Sequence, residues 1–327
     1  MDFLKHLALP QSLEQIAVLH FVLNIVSMLF LPFVSILLGA SLLSVYFESK
    51  GRRENNVLYL RFAKDIVDAI VINKSILFMF GVVPYLSTMF SFAQLLQSTT
   101  AVSVKALLVG FVFFTLSAVL LYTYKYTNKL GMLFHSFSGI IEKQKNAQSL
   151  SDEVRAYDQA NSQLHSTAAR YGVAALLLAL FFYVAGTVTA INSNEWDSVT
   201  SLLQVFISLS VWVGFLQFVS LSLAITGIAI VFFLFVWHGT VKESDEEYSA
   251  LVKRHALAIA MFGIFAQPLF VILSIVLLPT VALSGTVFLF SIVAVTLLLL
   301  LATFVLNLMK NFSSKLTSGA MYLFVVV

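Results

Sequence analysis

The sequence predicts an all-α polytopic membrane protein with seven full spans and the start of an eighth, and three observations carry that prediction. Hydrophobic residues make up 60% of the 327 and charged residues only 11%, outside the range of soluble globular domains. Mean hydropathy is +0.95. Uncharged runs of twenty or so residues recur along the chain. At about 1.5 Å of rise per helical residue, each can cross a hydrocarbon core of roughly 30 Å.

The spans fall at 16–44, 75–96, 102–124, 171–191, 212–238, 256–279 and 286–309. A last apolar stretch, 319–327, is too short to cross and reads as the opening of an eighth span. The N-terminal MDFLKHLALPQSLEQ has one lysine and no small-residue cleavage site, so residues 1–15 read as an external N-terminal segment and the first span as an uncleaved insertion signal. Residues 202–238 exceed one span and contain no polar turn. Trp212 and Trp237 bracket the crossing at the spacing of interfacial aromatic belts, which leaves 199–211 as a short surface helix in an outer loop at 192–211.

Orientation follows from the basic residues. Of the 19 Lys and Arg, all but Lys5 and Lys105 fall on loops of one side. The positive-inside rule puts that side in the cytoplasm and the N-terminus outside, in a bacterial inner membrane. The net charge of +3 is therefore a topology signal with some affinity for anionic lipid, and gives no reason to expect a nucleic-acid partner. In the largest loop, SLSDEVRAYDQANSQLH predicts a cytoplasmic amphipathic helix at about 148–165, with Ser149 and Asp152 as a capping box.

Self-comparison finds LHFV at 19–22 repeated as LQFV at 216–219, and MFGVVP at 79–84 echoed by MFGIFAQP at 261–268. The order and similar depth of the matches predict two parallel repeats, 16–191 and 212–327, each a four-helix bundle.

The chain has no cysteine, which excludes disulfides, thiolate metal sites, iron–sulfur clusters and covalent c-type haem within these residues. No phosphate loop, nucleophile elbow or metalloprotease helix motif is present. No Asp or Glu lies at mid-membrane depth, which argues against an ion-coupled transporter, although prolines in spans one, two and six and the repeat are features transporters share. The polar residues inside the spans are His20, Asn24, Gln94, Gln217 and Gln267. His20 and Asn24, four apart, share one helix face. His20 reads either as an interhelical hydrogen-bonding group or as a haem axial ligand. His135, His165, His238 and His255 lie on or near the cytoplasmic face, and His238 and His255, at the facing ends of spans five and six, are a candidate bis-histidine pair.

With an N-out start and its histidine near the outer end of span one, LHFVLNIVSMLFLPFVSILLG resembles subunit I of cytochrome bd-type quinol oxidases. Together with NVLYLRFAKDIVDAIVINKSILFMFGVVP, it is similar to bd-like membrane domains that continue into a periplasmic c-type cytochrome. The resemblance implies that His20 ligates a b-type haem near the outer face, that quinone is a further cofactor to consider, and that the partners are subunits of an electron-transfer complex, periplasmic cytochromes among them. Three departures limit what carries over. Gln217 stands where the family has its span-five histidine, GVVPYLSTMF replaces the carboxylate motif of span two, and the outer loop after span six is short. Oxygen reduction of the bd type is therefore not expected, and the chain is at most part of an oxidoreductase. The reading from a different class is a cofactor-free scaffold in which His20 and Gln217 are interhelical glue.

Overall fold

The structure, a computed structural model, describes residues 12–70, 74–96, 102–141 and 148–310 apart from 197, 238, 240, 242–244 and 281. The external segment at 1–11, His238 and the apolar stretch at 319–327 lie outside the described residues.

The described chain is helical, and seven helices are long and apolar enough to span a membrane. Helix α1 (Leu13–Glu54) opens with a capping box between Ser12 and Gln15 and closes at Asn55, whose φ of 49° is left-handed. It runs ten residues past the predicted span, because nothing in VYFESKGRRE stops a helix once it has left the membrane. Helix α2 (Val57–Ile70) is amphipathic and packs beneath α1. Helix α3 (Lys74–Leu95) contains a π-helical turn at Phe78–Val82. Pro84 follows it, and the widened turn accommodates a residue with no N–H to give the preceding turn.

Helices α4 (Ser103–Ile141) and α5 (Gln148–Ile191) pack along their lengths. The amphipathic helix expected at 148–165 is the first half of α5 and not a separate element. No proline or turn signal separates it from the span, so the helix changes solvent without breaking. Residues 199–211 also differ from expectation. Instead of a surface helix there is a single 3₁₀ turn, Gln204–Phe206, because the Gln204 side chain accepts from the Thr200 and Ser201 amides and Ser208 caps a new helix through the Val211 amide. That helix, α6 (Leu209–Trp237), ends in a π-helical segment at Phe232–Trp237 and is followed by α7 (Glu246–Leu277) and α8 (Gly285–Lys310).

Helices α1, α3, α4 and α5 close a four-membered ring, each touching the next. Helix α6 lies against α1 and α5, α7 against α6, and α8 against α7. The interior of the ring is filled by an aromatic knot. Phe30 lies 4.6 Å from the Tyr183 ring and 5.7 Å from Tyr85, and the Tyr85 hydroxyl donates to the Leu107 carbonyl at 3.0 Å.

The second half joins the first through small residues. A Cβ on Gly39 would land on the Thr226 side chain and the Ser222 carbonyl of α6, so the two backbones approach as closely as glycine permits. The Thr226 hydroxyl donates to the Ser35 carbonyl at 3.3 Å across the same crossing. On the opposite side of α6, Gly227 faces Ala256 and Ala260, while Gly263 of α7 faces Ala224 and Ser220. Lipid tails are as apolar as leucine, so helices associate in a membrane by this kind of close packing and not by hydrophobic burial alone.

A polar latch joins the halves at the ends carrying the basic loops. Arg61 of α2 pairs with Asp245 at 2.5 Å and lies 4.0 Å from the centre of the Tyr248 ring, while the Tyr248 hydroxyl donates to Asp65 at 2.6 Å. Burial pushes the Asp65 carboxyl above the usual aspartate range, against the opposing pull of the Tyr248 hydrogen bond and the Arg61 charge. The Asp245 contact holds Arg61 in its charged form.

Gly39→Ala is expected to lower stability by about 1–3 kcal/mol, because a backbone carbonyl as well as a side chain must give way. Adding Thr226→Gly is expected to recover part of that loss, and thermal unfolding of the detergent-solubilised variants checks both. Because the folded state holds the Asp65 proton more tightly, Asp65 contributes stability that is complete below its unfolded pKa, about 3.9, and is lost as pH rises through its raised folded value. The unfolding midpoint should therefore fall over that interval in the wild type, and the contribution should vanish in Asp65→Asn.

Candidate functional site

Two cavities lie at opposite ends of the four-helix ring. The cavity at the end where α1 begins, called outer after the orientation expected from the basic residues, is about 710 Å³ and is bounded by the first half of α1, the end of α3, the end of α5 and Trp196 of the loop that follows α5. The Trp196 indole donates to the Thr189 carbonyl at 2.8 Å and pins the loop beside α5. Leu23, Leu31, Phe92, Leu95 and Leu96 make the walls apolar, and Tyr183 of the aromatic knot contributes to the lining. The volume is that of an ordinary small-molecule or cofactor site, roughly 300–1,000 Å³.

His20 and Asn24 line this cavity together with Ser27, as their helical spacing requires. Other polar groups there are already used, since Thr187 donates to the Tyr183 and Val184 carbonyls and Thr88 to that of Pro84. The His20 and Asn24 side chains have no hydrogen-bond partner among the described residues. Their position therefore differs from an interhelical hydrogen bond, and both remain available to a ligand. The lining contains one imidazole and neither Lys nor Arg. A b-type haem fits the volume, the apolar walls and a single axial histidine, and its propionates would need the mouth of the cavity for solvation. A neutral quinone headgroup fits the same residues without that demand.

Gln217, the counterpart of His20 in the repeated tetrapeptide, is placed differently. Its carbonyl accepts from the Gln267 side chain at 3.0 Å and its amide oxygen from Ser274 at 2.8 Å, both on α7. Gln217 ties α6 to α7. His255 lies 3.0 Å from the Leu251 carbonyl through Nδ1, with its ring edge-on to Phe47 and Tyr59 at 5.4 and 5.6 Å. It lines neither cavity, and its proposed partner His238 is outside the described residues.

The other cavity, called inner on the same expectation, is about 850 Å³ and lies between α1, α2, α4 and α5, and most of its lining residues are polar or charged. On its wall Glu48 is bonded by three groups. Arg52 donates at 2.5 Å, the Tyr124 hydroxyl donates at 2.8 Å, and His165 Nε2 lies 3.1 Å away. His165 Nδ1 lies 3.0 Å from the Thr127 hydroxyl, and Tyr124 also meets Ser44 at 2.8 Å. Sequence reasoning noticed His165 only as one of several histidines near this face and did not single out Glu48. The one legible signal was a glutamate just inside a basic helix end, with a histidine on a helix predicted to return to the same depth.

Comparisons with protein-family models, curated proteins and solved structures return no match for this chain.

The double-mutant cycle of Gln217→Ala and Ser274→Ala is expected to give a coupling energy of about 0.6 kcal/mol, the mean for polar pairs between membrane helices. Chemical unfolding of the four proteins measures it. A coupling of zero would mean that the hydrogen bond does not hold α6 to α7.

Proposed function

We propose that this chain is a membrane subunit of an electron-transfer complex and that the outer cavity is its cofactor site, with His20 as the axial ligand of a b-type haem. The observation that carries this reading is the pair of unpartnered polar side chains, His20 and Asn24, facing a cofactor-sized apolar cavity. Both side chains are exposed, and a group bound in the cavity would cover them and give each a partner. A haem supplies one-electron exchange, and the protein tunes it through the axial ligand and the low dielectric of the site. His20 provides the ligand, Asn24 a hydrogen bond one turn away, and the leucine and phenylalanine walls exclude water. The same residues support a quinone in place of haem within the same function.

The basic residues on alternate loops support an orientation with His20 on the periplasmic side, where c-type cytochrome partners would dock. The two tetrapeptides support a parallel repeat, since each lies about two turns from the start of its helix. A second reading, an integral scaffold without cofactor, is favoured by the Gln217 bonds to Gln267 and Ser274, which are purely structural.

The test is an optical spectrum of the purified protein before and after dithionite, with quinone extraction of the same sample. A Soret band that falls tenfold or more in His20→Ala is the expected result, on the scale of losses seen when the groups supporting a metal ligand are removed. Wild-type protein with neither band nor extractable quinone would leave the scaffold reading.

A further inference from the structure

The inner cavity contains a group for which the proposed function has no use. His165, buried at 9% exposure, is engaged through both ring nitrogens, by Thr127 at Nδ1 and by Glu48 at Nε2. The number of protons in this network is what matters. Thr127 has one hydroxyl proton, and its oxygen lies 2.9 Å from both the Thr123 and Tyr124 carbonyls, the back-bonding position of a helical threonine. While that proton is given to the backbone, Nδ1 must donate to the hydroxyl oxygen. Nε2 faces a carboxylate that is acceptor-only when ionised, so Nε2 donates as well. The complete network then holds an imidazolium.

Rotation of the Thr127 hydroxyl toward Nδ1 gives an equally complete network around a neutral ring, with Nε2 still donating to Glu48. The backbone carbonyls released keep their helical hydrogen bonds. The two forms thus differ by one proton and one hydroxyl rotation, with no heavy atom displaced. A ring nitrogen facing a backbone carbonyl or amide would have no such second solution, because losing or gaining the proton would strand a donor or an acceptor.

The geometry points to a proton-exchange site at the Glu48–His165 pair, loaded and emptied through the inner cavity. The groups facing it from each packed element are Glu48 and Arg52 on α1, Arg61 and Lys64 on α2, Tyr124 on α4 and Asp158 on α5. Arg61 is tied to Asp245, and the proton on His165 lies one hydrogen bond from a carboxylate, Glu48, that it shares with Arg52. The site is separate from the outer cavity, with which it shares no lining residue. Both cavities are built on α1 and α5, so a change of charge at the inner ends arises on the same two helices that carry the outer cavity.

Nitrogen-15 spectra of histidine-labelled protein in lipid nanodiscs test the proposal, with the His165 signals assigned by their loss in His165→Gln. On lowering the pH from about 8 to about 5, the signals are expected to pass from the neutral to the cationic pattern. In Glu48→Gln, which keeps the shape and the acceptor, the cationic fraction at any pH in that range should be at least several-fold smaller. Should His165→Gln fail to fold, Thr127→Val serves for assignment, since it removes the Nδ1 partner of this ring and of no other histidine. Signals that stay in one form throughout, or a Glu48→Gln protein that titrates as the wild type does, would each overturn the proposal.

Discussion

The close approach of α6 to its neighbours is the constraint on which the rest of the structure depends. In water the apolar helices would assemble by burial, but in hydrocarbon they gain little by exchanging lipid for one another. What holds them is contact at backbone distance where side chains are absent, at Gly39 against Thr226 and Ser222, at Gly227 against Ala256 and Ala260, and at Gly263 against Ala224 and Ser220. Helix α6 presents small residues on both sides, and so it joins the four-helix ring to α7 and, through α7, to α8. The Arg61–Asp245 and Tyr248–Asp65 contacts add polar fastening beyond the membrane-spanning segments, where charged groups are affordable.

Both cavities are built on α1 and α5, the two members of the ring that α6 touches. Helix α1 carries His20 at one end and Glu48 at the other, and α5 carries Tyr183 and Thr187 at the outer cavity and His165 at the inner. The buried rings of Phe30, Tyr85 and Phe114 fill the ring interior between the ends. The outer cavity is apolar with two unpartnered polar side chains, whereas the inner one is lined by charged groups already in mutual contact. An apolar site with unpartnered polar groups suits a bound cofactor, and a satisfied network with two proton arrangements suits proton exchange.

Much of the architecture was legible in composition and run length, because crossing a bilayer demands long uncharged helices and little else. All seven spans are present as expected. The errors arose outside the membrane, where that demand ends. Helix α5 continues unbroken from 148 because nothing in its polar half interrupts it, and the expected surface helix at 199–211 is replaced by side-chain caps from Gln204 and Ser208, whose effect depends on geometry. The shared face of His20 and Asn24 followed from spacing alone. The Glu48–His165 pair did not, because its members are far apart in sequence and belong to no motif, and only the packing of α1 against α5 brings them together.

The arrangement of the seven helices places the ends of α1, α4, α6 and α8 on one side of the membrane and the ends of α3, α5 and α7 on the other. The absence of native cysteine permits a direct test with single cysteines and a membrane-impermeant thiol reagent applied to sealed vesicles of known orientation. Cysteines replacing Glu54 and Glu246 are expected to react from one side only, and those replacing Ser193, Thr200 and Ser284 only from the other. Labelling of Glu54→Cys and Ser193→Cys from the same side would contradict the account, since α1 and α5 would then not carry the two cavities to opposite faces.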